Sequence, residues 1–147
     1  MNCICNYKHE EIQMKKVIPN LHDNEILSYQ VDIHNQSLRM QTKYYDKETC
    51  DIIFIGYIAH QFYNVTYSNV IDSIIQFSSD EYIDKNKEVF ESGIKNAFPI
   101  FAENCNMLKD YLKKADQKIF EIHSIIGLSG FVIAQNIILK RCDSQSI

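Results

Sequence analysis

Between residues 27 and 44 the chain alternates apolar and polar residues twice. Leu27, Tyr29, Val31 and Ile33 enclose Ser28, Gln30 and Asp32, and Leu38, Met40, Thr42 and Tyr44 enclose Arg39, Gln41 and Lys43. A period of two is the spacing of a strand that buries one side and wets the other. A helix would scatter these side chains around its circumference, so the two stretches constrain the chain to a hairpin in an antiparallel sheet. With Asn35-Gln36 as a two-residue turn, the expected register opposes Ile33 with Leu38, Val31 with Met40, Tyr29 with Thr42 and Leu27 with Tyr44. A slip of one residue would turn one strand's apolar side to water.

The following segments extend the sheet. After Asp46-Lys47-Glu48, residues 50–65 are apolar on both sides through their first half, as a mid-sheet strand would be. That run is long for a strand, so a bulge is expected near Gly56, where the missing Cβ also admits a close neighbour. Residues 70–77 read as a fourth strand with Ile71, Ile75 and Phe77 on one side. Ser78-Ser79-Asp80-Glu81 has the spacing of a capping box, and Tyr82, Val89, Phe90, Ile94 and Ala97 then recur at helical spacing up to Pro99. Asn104 is the expected N-cap of a second helix carrying Met107, Leu108, Tyr111 and Leu112 as far as Ala115. Residues 118–126 and 131–140 form a closing pair of strands around Gly127-Leu128-Ser129-Gly130.

These elements define an α+β fold. The expected architecture is an antiparallel sheet of about six strands in a meander, with two helices inserted between strands 4 and 5 and packed on one face. Residues 1–147 read as a single domain with an α+β core over 25–140. Residues 1–24 are the least defined part, compatible with a short helix or an edge strand before Pro19. The two apolar sides of the third strand leave both an open and a strongly curled sheet compatible with the pattern.

Composition narrows the function classes. With 147 residues, 46% of them apolar, the chain can bury roughly 70% of its unfolded surface without a staple. The apolar run over 52–59 ends at His60, far short of the roughly 20 residues that cross a bilayer, and the N-terminus lacks the basic start and apolar stretch of a secretory signal. A cytoplasmic protein with no membrane association is therefore expected. Five scattered cysteines read as reduced thiols rather than a disulfide framework. A formal charge of −4 opposes phosphate backbones, which argues against nucleic acid and favours a basic protein partner.

No catalytic, cofactor-binding or metal-binding constellation is legible. Cys3, Cys5 and His9 lack the paired spacing of a structural zinc site and read as ordinary residues near a terminus. Gly127-Leu128-Ser129-Gly130 has neither the lysine of a phosphate-binding loop nor the Gly-x-Ser-x-Gly frame of a nucleophile elbow. His60 together with His123 and Glu121 offers general acid-base chemistry if the strands bring them together, and it motivates an alternative reading as a small enzyme or ligand-binding domain. Tyr44, Tyr45, Tyr57, Tyr63 and Tyr67 crowd the middle of the chain, and tyrosine serves interfaces through its apolar ring and polar tip. The residues expected to contact a partner are Tyr57, His60, Tyr63, Tyr67, Glu81, Asp84 and Glu88. The acids among them lie on a helix face shared with Asp80, Glu91, Lys85 and Lys87, whose ordinary role is solvation.

The order of hairpin, long strand (Gly56-Tyr57-Ile58-Ala59-His60-Gln61-Phe62-Tyr63-Asn64-Val65), two helices and closing pair with Gly130-Phe131-Val132 resembles the small α+β immunity proteins of bacterial toxin systems. The resemblance is one of layout over about residues 25–140 and carries no functional residue across. It implies a non-enzymatic module that binds and neutralises a cognate, basic toxin. A third reading is a self-associating protein, a homodimer formed through an exposed edge strand.

Overall fold

Every strand pairing in the computed structural model, which describes residues 15–45 and 47–143, is antiparallel. Nine strands are present among the described residues: β1 (Lys15–Val17), β2 (Glu25–Asp32), β3 (Ser37–Tyr44), β4 (Glu48–Ile55), β5 (Ala59–Tyr63), β6 (Val70–Ser78), β7 (Lys118–Ile126), β8 (Ser129–Ala134) and β9 (Asn136–Asp143). Three helices, α1 (Ser79–Lys85), α2 (Lys87–Ile94) and α3 (Cys105–Lys114), fall between β6 and β7. The α+β class, the antiparallel sheet and the placement of the helices before the closing strands follow the sequence pattern.

The meander does not hold. The strand order is β5-β8-β7-β6-β2-β3-β4-β9, with β1 also on β6, so β6 lies beside β2 and β7 rather than beside β5. The cause is a double bend. Gly56, at φ +71°, turns the chain from β4 to β5, and Gln135 turns it from β8 to β9. The two bent strands stay paired through the corner, where the Gln135 amide donates to the Ile55 carbonyl (2.8 Å) and the Ile58 amide donates to the Ile133 carbonyl (3.0 Å). Thus β8 holds β7 while its continuation β9 holds β4, and the ring of pairings closes on itself. The sheet is strongly curled, which removes most of its open edge.

Curling creates two separate cores. Inside the ring lie Leu38, Met40, Ile52, Phe54, Ile71, Ile74, Phe120, Ile122 and Val132, all buried. The Phe54 and Phe120 rings meet there edge to face, 5.5 Å apart, a geometry that adds about 1 kcal/mol to what their burial alone contributes. Outside the ring, the helices cover β5-β8-β7-β6 through Ile83, Phe90, Leu108 and Leu112 against Phe77, Ile119, Phe131 and Ile133. Strands of that half are buried on both sides, which is why residues 129–134 read Ser-Gly-Phe-Val-Ile-Ala without alternation.

Three local expectations are corrected. The β2–β3 register pairs Val31 with Leu38, Tyr29 with Met40 and Ile26 with Thr42, with a bulge at Leu27. It differs from the two-residue-turn register by two positions, so Tyr29 and Val31 keep their side while Ile33 and Leu27 are left exposed. Asp32 selects the longer loop, because its carboxylate accepts from both the backbone amide (3.1 Å) and the side-chain amide (2.7 Å) of Asn35. In β6 a bulge between Ile71 and Ser73 sends Ile71 into the ring and Ile75 and Phe77 to the helices, so these three do not share a side.

The third correction is to the first helix, which is two. Ser78 caps α1 by accepting from the Glu81 amide, as the capping box predicts, but Asn86 leaves helical geometry at φ −124° and returns its side-chain amide to the Tyr82 carbonyl (3.0 Å). Then α2 stops at Ile94, five residues before Pro99. Asn104 caps α3 as expected, accepting from the Met107 amide at 2.8 Å.

Candidate interaction face

One end of the sheet presents large apolar side chains to water. Tyr63 ends β5, Val65 and Tyr67 lie in the loop that follows, and Ile125 and Ile126 end β7. Tyr67 is 98% exposed and the other four are each about half exposed. They are brought together because Tyr63 pairs with Ser129 and Val70 with Ile126, which sets the 64–69 loop beside the turn at Gly127-Leu128.

Asn69 locks these two loops. Its buried Oδ1 accepts from the amides of Thr66 (3.0 Å) and Leu128 (2.8 Å), and its Nδ2 donates to the Thr66 carbonyl (2.7 Å). Leu128 is buried in the inner core and pins the turn from below. Gly127, at φ +84°, is required because a Cβ would sit 2.6 Å from the Ser68 carbonyl oxygen. A register shift leaves Ile125 unpaired at a bulge, beyond which alternation along β7 sets His123 and Glu121 on one side. The Glu121 carboxylate accepts from Tyr82 Oη (2.9 Å) and contacts His123 Nε2 (2.6 Å). Burial first, then the Glu121 charge and hydrogen bond, pushes the Tyr82 hydroxyl well above the usual tyrosine range, so it stays a donor.

The residues expected to contact a partner fall in three places. Tyr63 and Tyr67 are on this face. Tyr57 and His60 are half-buried on the inner side, in an aromatic cluster with Tyr29 and Phe62 between β2 and β5. Glu81, Asp84 and Glu88 are on the helical layer. There Glu81 pairs with Lys85 (3.2 Å), Asp84 pairs with Lys109, and Glu88 occupies the first turn of α2, where the helix dipole favours an acid. Sequence reasoning missed Val65, Ile125 and Ile126. The signals were present: Val65 and Tyr67 stand in an otherwise polar loop, and Ile125-Ile126 places two apolar residues in succession at a strand end.

The His60, His123 and Glu121 site is not assembled. His60 pairs with Val132, which faces the inner core, whereas Glu121 pairs with Phe131, which faces the helices. Adjacent strand residues point to opposite sides, so the two histidines are separated by the sheet.

His60 Nδ1 instead shares a hydrogen bond with Tyr57 Oη at 2.7 Å. Desolvation lowers its pKa below the ordinary 6.5 and raises that of Tyr57, so both stay neutral. The unfolded chain takes up this proton first as pH falls. The associated stability is complete above about pH 6.5 and declines as pH drops through that value toward the lowered one. Melting curves of wild type and His60→Gln should therefore diverge below about pH 6.5, with the shallower slope in the variant. Parallel curves would remove this role for His60.

Among the described residues, no group of His, Cys, Asp and Glu is arranged to hold a metal ion, and no helix is long and apolar enough to cross a membrane. Cys3, Cys5 and His9 lie outside the described residues. Cys50 and Cys105 are buried, Cys142 is exposed, and no disulfide joins them. No family model, no curated protein and no solved structure matches the chain.

Proposed function

We propose that this chain is a non-enzymatic binding module that captures a protein partner through the Tyr63, Val65, Tyr67, Ile125 and Ile126 end of its sheet. The observation that carries this reading is the rigid display of large apolar side chains by a buried asparagine clamp. Exposed apolar patches mark interaction sites, tyrosine is over-represented among the side chains that dominate binding energy, and a loop ordered in advance lowers the entropy lost on docking. The net charge of −4 favours a basic partner by steering. In the immunity reading that partner is a toxin in the same cytoplasm, neutralised by being covered.

Tagged protein retrieved from its native host should bring down a stoichiometric basic protein, and its affinity should fall as salt is raised. Tyr67→Ala should weaken that complex about tenfold or more while leaving the melting temperature unchanged, because Tyr67 supports nothing within the fold. Equal retrieval by Tyr67→Ala and Tyr63→Ala would place the contact elsewhere.

A further inference from the structure

In the ring of strands, β2 and β5 face each other without pairing. Beyond Glu25, which meets Val70, β2 pairs with β3 alone, and β5 pairs with β8 alone, among the described residues. Two backbone bonds close the ends of the seam between them. The Ile26 amide donates to the Asn69 carbonyl (2.7 Å) at one end, and the Tyr57 amide donates to the Gln36 carbonyl (2.9 Å) at the other. Between these ends no backbone bond crosses from β2 to β5. The Cα atoms of the two strands lie almost everywhere more than 8 Å apart, whereas paired strands sit about 4.8 Å apart.

Aromatic rings bridge the seam. Tyr29 of β2 meets Phe62 and His60 of β5 edge to face, with centroids 5.1 Å and 6.1 Å apart. Phe62 and Val31 pack against the inner core, so the rings form a floor on the inner side and leave the level of the two backbones open. Tyr29 shares the inner side with Val31 and is still 39% exposed, so solvent reaches that floor. Ring contact also limits how far apart the strands can stand. A single missing strand would leave a gap of about 9.6 Å, two strand spacings.

Unpaired strand edges are templates for another strand. Hydrogen bonding in an antiparallel ladder alternates from one residue pair to the next. The Gln36 amide donates to the Ile33 carbonyl (3.2 Å), and the register holds from there to Ser28, so Val31 and Tyr29 bond to β3 while Gln30 turns its N–H and C=O toward the seam. The loop that carries Val65, Tyr67 and Asn69 closes one end of this seam, and Tyr63 belongs to both the seam and the interaction face. The two strands carry Glu25 and Asp32 and no lysine or arginine.

We infer that the seam accepts an extended segment of the protein partner as an added strand between β2 and β5, an inference that rests on the reading of this chain as a protein-binding module. Main-chain hydrogen bonds to the free edges supply affinity, and side-chain alternation supplies selectivity. Residues of the segment that point inward meet the Tyr29, His60 and Phe62 rings and must be small. Those that point outward are unrestricted in size, with basic residues at the segment's ends favoured by Glu25 and Asp32.

The probe is the peptide acetyl-Lys-Ala-Thr-Ala-Thr-Ala-Lys-amide, titrated into the protein and followed through the backbone amide signals of β2 and β5 by nuclear magnetic resonance. A saturable shift of the Gln30 amide and of the β5 amides is expected, with none from the same peptide N-methylated at its alanines. Gln30→Pro removes a donor that the fold does not use and should weaken the peptide about tenfold or more with little change in melting temperature. The methylated peptide decides the matter should that variant fail to fold. Tyr67→Ala, outside the seam, should leave peptide affinity unchanged. A peptide that binds while no partner is retrieved from the host would keep the seam as a strand-binding site and remove the proposed function. A partner retrieved equally by wild type and Gln30→Pro would overturn the seam and leave the interaction face standing. No saturable shift, or an equal response to the methylated peptide, would also overturn the inference. Shifts of the same amides with protein concentration alone would assign the seam to a second copy of this chain and overturn it likewise.

Discussion

Gly130→Ala is expected to lower the stability of this protein by about 3 kcal/mol or more, a drop of about 6–12 °C in melting temperature for a chain of this size. Gly130 sits inside β8 at φ +141°, between Phe62 of β5 and Ile122 of β7. A Cβ there would be driven into the Gln61 carbonyl and to 3.0 Å from the Phe62 Cα. Both obstacles are backbone, so no side chain can swing aside, and the chain must either strain Gly130 further or separate β5 from β8. Gly56→Ala provides the comparison. Its φ of +71° is also left-handed, but the added Cβ meets only the side chain of Gln135, which is exposed and can move. That substitution should cost about 1 kcal/mol. If the two variants melt alike, the close approach of β5 to β8 is not what fixes Gly130.

The contrast between these glycines also shows what the sequence could reveal. Gly56 was legible because it interrupts a long apolar run: the close neighbour expected there is found, but the run is two strands joined by a turn at Gly56 and not one long strand with a bulge. The curl that the turn produces was not legible, since it depends on β4 and β9 pairing across a separation of more than eighty residues. Local signals proved accurate wherever a single side chain decides the outcome, as at Ser78 and Asn104, whose caps lie where the spacing puts them. Register was harder. Pairing Val31 with Met40 or with Leu38 buries the same sides of both strands, so the alternation could not separate the two, and Asp32 chose between them through its loop. The same limit applies to the candidate site. Tyr63 and Tyr67 were visible as tyrosines, but their meeting with Ile125 and Ile126 depends on Asn69, which is one polar residue among several in its loop.

Asn69→Ala should accordingly affect both stability and the interaction face. Truncation leaves the amides of Thr66 and Leu128 without their acceptor and the Thr66 carbonyl without its donor. The Leu128 amide is buried against Asn69, so water cannot replace that bond without opening the turn. A cost of about 2–4 kcal/mol is expected from the stranded groups, comparable to a large cavity in the core. The loss should begin locally. In hydrogen exchange, the amides of residues 66–69 and 127–129 should lose protection while those of β3 and β4 keep theirs, because neither of those strands pairs with β6, β7 or β8 beside the clamp. Asn69→Asp separates the contributions: it retains an acceptor for both amides but sets a carboxylate oxygen against the Thr66 carbonyl, so its stability should fall between wild type and Asn69→Ala. Partner capture should follow the order of the clamp, strongest in wild type and weakest in Asn69→Ala, even at temperatures where all three proteins are folded. If Asn69→Ala instead binds as tightly as wild type while its loop exchanges freely, the apolar residues bind without needing to be held, and the rigidity of this face has no part in recognition.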